Sequence, residues 1–139
     1  MSLLVAPLSQ QHAYELAVAV ERALAQWAKG VTQPEDIVAA LERVLLFLRQ
    51  NGAASPQARH VASLAFSFGQ QVVARAGWTW QSVSDDGSVN PAIVSPDGGR
   101  AVLVVDVMTR LVVGADKASL AGLFKALLGA DEHPLVTPL

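Results

Sequence analysis

Cysteine is absent from all 139 residues. Disulfides, thiolate catalysis, iron–sulfur clusters and cysteine zinc sites are therefore excluded, and the chain suits a reducing cytoplasm. Charge is scarce as well: 16% of residues are Asp, Glu, Lys or Arg, against about a quarter in ordinary soluble chains. The formal net charge of −2 supplies no long-range field for phosphates, so nucleic acid is not an expected partner. Long apolar runs are missing too. The longest blocks, 44–48 and 101–105, fall far short of the ~20 residues that span a bilayer, and no membrane partner is expected. The opening "MSLLVAPLSQ" has no basic region and reads poorly as a signal peptide.

What is present is apolar. Hydrophobic residues make up 52% of the chain and the mean hydropathy is +0.36. Much of this is alanine, which adds little area, yet the surplus still points to a surface that needs a partner. A chain of this length buries about two thirds of its unfolded surface around one core. One α+β domain over 1–139 is expected: helices in 9–77, a meander with a closing helix in 78–129, and an extended tail in 130–139.

The first helix is predicted from Ser9, its cap, to Lys29, with Gly30 as its stop. Leu16, Val20, Ala23 and Trp27 lie on its apolar stripe. "TQPED" restarts the chain, because Thr32 and Glu35 have capping-box spacing and Pro34 suits a first turn. The second helix runs to about Gln50. Leu46 and Phe47 widen its stripe beyond what a helix with one wet face needs. Asn51-Gly52 is a stop, Ser55-Pro56 a new cap, and a third helix ends at Gly77.

After Gly77 the period changes from near four to two, with Trp78, Trp80, Ser82 and Ser84 on one strand face. Asp85-Asp86-Gly87 is a turn, a short strand spans about 92–95, "SPDGG" turns again, and Arg100 to about Val107 is the longest strand. Ala101, Leu103, Val105 and Val107 form its helix-facing side. Arg100, Val102, Val104, Asp106 and Met108 form a half-apolar outer side. A further short strand over 111–113 and a last helix ending at Gly129 follow. The architecture is thus three N-terminal helices, a three- to four-stranded antiparallel meander and one C-terminal helix, with the helices on one sheet face.

Chemistry finds little support in local spacing. Asp85 and Asp86, as neighbours on a strand, point to opposite faces, and the positions after them lack the oxygens of a calcium loop. Asp97 reads as a turn residue. Asp106, inside an apolar run, must be solvated or paired. His12, His60 and His133 are scattered, and no metal site is expected. Neither serine-hydrolase nor nucleotide-binding glycine motifs occur, so no cofactor is expected.

The order "GWTWQSVSDDG", "AIVSPDGG", an apolar strand and "SLAGLFKALL" resembles small bacterial α+β domains of unknown function. In those a W-x-W strand opens a meander packed on helices. The resemblance spans roughly residues 60–129 and implies a fold, with no activity and no catalytic residue.

The leading expectation is a non-enzymatic, homodimeric interaction module, binding itself or another protein. Its surface would comprise Leu46, Phe47, Val83, Val102, Val104 and Met108. The alternative is a small-molecule binder or weak enzyme with a cleft between helices and sheet, walled by Trp78 and Trp80 and anchored by Asp106 or Arg110.

Overall fold

The computed structural model describes residues 3–51, 58–85, 87–129 and 131–139. Among them the chain forms five helices and one five-stranded sheet. The order is β1 (Leu4–Pro7), α1 (Gln10–Trp27), α2 (Pro34–Asn51), α3 (Ala58–Ala76), β2 (Thr79–Asp85), β3 (Ser88–Val94), β4 (Arg100–Val102), α4 (Val104–Val112), α5 (Leu120–Leu128) and β5 (Thr137–Pro138). The strands lie side by side in chain order, every neighbouring pair antiparallel. The α+β class matches expectation. One helix is added, and strands β1 and β5 extend the meander on both margins.

Local chemistry explains most helix ends. The Ser9 hydroxyl accepts the His12 amide at 3.1 Å, and Ser119 does the same for Gly122 at 2.9 Å, each satisfying an orphan donor of a first turn. α2 starts differently from its expected capping box. The Gln33 carbonyl accepts the Asp36 and Ile37 amides, while the Glu35 carboxylate reaches across to Arg75 at 2.7 Å. The Gly52 stop and the Ser55-Pro56 cap lie outside the described residues, as does Asp86.

α3 is the central element. The rings of Trp27 and His60 meet edge to face at 6.2 Å, joining the end of α1 to the start of α3. The Glu35–Arg75 pair joins the start of α2 to the end of α3. Both outer helices therefore run antiparallel to α3 and flank it. α4 and α5 pack against it as well, and Phe68 meets Phe124 edge-on at 6.3 Å. Leu64, Ala65, Phe68 and Val72 are consequently buried, together with the polar Ser67 and Gln71.

The sheet register assigns each side chain to a face. Trp80, Ile93 and Val102 form one cross-strand row that packs on the helical core. On the same face, Leu4, Ser84 and Val89 form a row nearer the hairpin end. Val5, Val83, Ala92, Val94 and Ala101 belong to the opposite face.

The expected strand over 100–107 is corrected: it stops at Val102, and α4 begins at Val104. Its parity is reversed as well, since Val102 faces the helices. The reason is the spacing of Val104, Val107, Met108, Leu111 and Val112, all buried on one helical stripe. β-branched residues favour a strand locally, but packing of that stripe against α3 and α2 outweighs a propensity difference below about 1 kcal/mol per residue. The expected strand at 111–113 is the end of the same helix.

Candidate functional site

Four of the six expected interface residues are not at the surface. Val83, Val102, Val104 and Met108 are 1%, 0%, 2% and 1% exposed. Val104 and Met108 leave the supposed outer sheet face because they sit on α4, inside the core. The other two hold their place: Leu46 is 44% and Phe47 63% exposed on α2. A second apolar exposure was not anticipated. In β1, Leu4 is 67% and Val5 44% exposed, and Val89, in the row of Leu4, is 52% exposed. The signal for β1 was present in "LLVAP", but four residues without alternation do not announce a strand.

The expected pocket does not assemble. Trp78 is buried beneath the Arg100 guanidinium, whose centre stands 5.3 Å from the ring centroid. The same guanidinium donates to the carbonyls of Asp131 at 3.3 Å and Gly129 at 3.2 Å. Arg100 thus ties the tail to β4, and Trp78 is its platform. Trp80 lies across α3: its indole N–H donates to Gln70 Oε1 at 3.0 Å, and its ring meets Phe66 edge-on at 6.2 Å. Asp106 and Arg110 are exposed on α4. Asp106 lines an open cavity of about 310 Å³ with Ser88, Asn90 and Pro91. Trp78 lines a different one, of about 260 Å³, with Ser95, Asp97 and Arg100. The two aromatic rings thus serve separate packing contacts, and the two charges stand exposed on α4.

The two aspartate turns behave as local chemistry requires. β2 and β3 pair up to Asp85 opposite Ser88, and Gly87 has φ +87°, a value that only glycine adopts without strain. In "SPDGG" the Ser95 hydroxyl donates to Asp97 Oδ1 at 2.6 Å and the Gly99 amide donates to the same oxygen at 2.9 Å. These bonds, the Ser95 one first, hold the Asp97 carboxyl below its ordinary value. A depressed folded-state pKa contributes stability that is present above the unfolded value near 3.9 and lost as pH falls through the folded one. Asp97→Asn is therefore expected to flatten the acid limb. The urea midpoint of the native chain should fall more between pH 5 and pH 2.5 than that of the variant. An equal fall would exclude this turn as a contributor.

Among the described residues, no three His, Cys, Asp or Glu side chains gather as a metal site would require. His133 Nδ1 instead accepts the Leu135 amide at 3.1 Å, and His12 contributes its amide to the cap of α1. Among the same residues no helix is long and apolar enough to cross a membrane. The chain matches no known protein family, no curated protein and no solved structure. Function must therefore be argued from the surface itself.

Two surface features stand out. One is the free margin of β1. The other is a trough at the C-terminal end of α1, where one cleft toward α3 and an adjoining one toward α2 share Gln26 and Trp27.

Proposed function

We propose that this chain is a protein-interaction module that pairs with a second copy of itself along the free edge of β1. The observation that carries the reading is a sheet margin left bare. β1 is the outermost strand, all four of its residues are exposed, and none is charged. An edge strand presents a row of unpaired N–H and C=O groups, which natural proteins commonly blunt with lysine, bulges or a covering element. Among the described residues only Pro7 does so, at one end.

An antiparallel strand is its own complement across a two-fold axis, so one patch serves both partners. Leu4 and Val5, on opposite sheet faces, would both lose water on pairing. The low charge and apolar surplus of the whole chain support the same reading.

Sedimentation at high micromolar concentration is expected to give twice the chain mass. Val5→Lys should shift the equilibrium toward monomer by at least tenfold in Kd, since burying an unpaired ammonium costs more than the ~1.4 kcal/mol that tenfold represents. Because Val5 is already exposed in the single subunit, its replacement should leave folding intact. A monomeric native chain would sink the proposal. Dissociation by Leu46→Lys instead of Val5→Lys would move the seam to α2.

A further inference from the structure

The trough at the end of α1, facing α3 on one side and α2 on the other, combines three arginines with an apolar wall and has no acid among its lining residues. Its upper cleft, about 190 Å³, is lined by Arg22, Trp27, Arg59, His60 and Ser63. The adjoining cleft, about 350 Å³, carries Trp27, Ala40, Arg43, Val44 and Phe47. Together they put Arg22 and Arg59 at one end, and aliphatic and aromatic surface bordered by Arg43 at the other.

This arrangement is not a by-product of a basic protein, because the chain is net negative. Nor are the arginines compensated. Among the described residues the single salt bridge is Glu35–Arg75. Glu15 accepts from Gln11 and Glu42 from the Ala121 amide, and among the described residues no salt bridge joins Glu21, beside Arg22 on α1, to an arginine of the trough. Asp36 stands on the stripe of Arg43, seven residues back and therefore about 10 Å along the axis. The trough exists because α1 and α2 each pack on α3 while touching one another little. Trp27 is half-buried at their junction, held edge-on by His60.

Guanidinium groups present forked donors that match carboxylate and phosphate oxygens, and ligand clefts pair a few such groups with apolar walls. We infer that the trough binds a small organic anion, its carboxylate between Arg22 and Arg59 and its apolar body along Trp27 and Val44 toward Arg43. This goes beyond the β1 pairing and does not depend on it.

The probe is 4-phenylbutyrate, followed by NMR of the full chain, with 4-phenylbutanol and inorganic phosphate as comparisons. 4-Phenylbutyrate is expected to move the Trp27 indole N–H and the amides of Arg59 to Ser63 saturably. For a ligand of this size Kd should fall on the order of 0.1 to 5 mM. The alcohol should bind at least tenfold more weakly. Arg22→Gln with Arg59→Gln should weaken the acid at least tenfold without changing the melting temperature, as both side chains are exposed.

Four results would overturn the inference: no saturable shift by 20 mM, equal binding of the alcohol, phosphate binding as tightly as the acid, or shifts centred on Trp78 and Trp80. Should the double variant misfold, Arg43→Glu tests the same field from α2. It must weaken binding for the inference to stand.

Discussion

Met108→Lys is expected to leave the chain unfolded at 25 °C. Met108 is 1% exposed and belongs to the main core with Leu41, Leu111 and Phe124. A lysine there must bury its ammonium or tear α4 from α3. Burying an unpaired charge costs at least about 4 kcal/mol, close to the 5 to 15 kcal/mol that holds a whole domain together. Met108→Leu, which nearly conserves volume, should cost less than about 1.5 kcal/mol. Far-UV circular dichroism and thermal melting distinguish the outcomes. The variant also decides between two placements of residues 104–108. On an outer sheet face, lysine would be tolerated and only self-association would suffer. A folded Met108→Lys protein would therefore refute α4.

Trp80→Ala should be the next most damaging change, at about 2 to 4 kcal/mol, below the 3 to 5 of a fully buried tryptophan because this ring is half-buried. The loss has two parts. One is the ring area against Phe66 and α3, and the other is the hydrogen bond that leaves Gln70 without its donor. The ring lies so close to α3 that a Cβ at Gly69 would stand 2.5 Å from Trp80 Cη2 and 2.9 Å from Cζ2. Glycine inside a helix costs about 1 kcal/mol relative to alanine. At this position the indole claims the space.

Gly69→Ala should therefore destabilise by about 1 kcal/mol net, overpacking of about 1 to 3 kcal/mol outweighing the gain in helix propensity. In the Trp80→Ala background the same replacement should instead stabilise. Urea denaturation of the four proteins gives the coupling energy, expected at about 1 to 3 kcal/mol. Simple additivity would show that Trp80 does not rest on Gly69.

These two variants probe the places where sequence reasoning succeeded and failed. Trp78 and Trp80 were expected as the wall of a possible cleft, and each instead packs in a contact of its own. What sequence could not show is that Trp78 supports Arg100 while Trp80 crosses α3, since both occupy the same parity two residues apart. Asp106 was marked as a charge that must be solvated or paired, and it is solvated, but on the first turn of a helix instead of a strand. The arginine trough was invisible for a different reason. Arg22, Arg43 and Arg59 come from three helices, and no local motif connects them.

By itself the sequence determined the elements whose limits are set within a few residues: α1 by Ser9, α3 by its stop at Gly77, the two aspartate–glycine turns, and α5 by its stop at Gly129. Caps and turns act over one hydrogen bond, so their information is local. Only the tertiary structure decided α4, β1 and β5. The apolar run 101–105 reads locally as a strand, whereas the buried residues of 104–112 follow a helical period, and contact with α3 selects the helix. β1 is a strand because β2, far along the chain, offers it an edge; pairing of that kind is a property of two distant segments, and neither carries it alone.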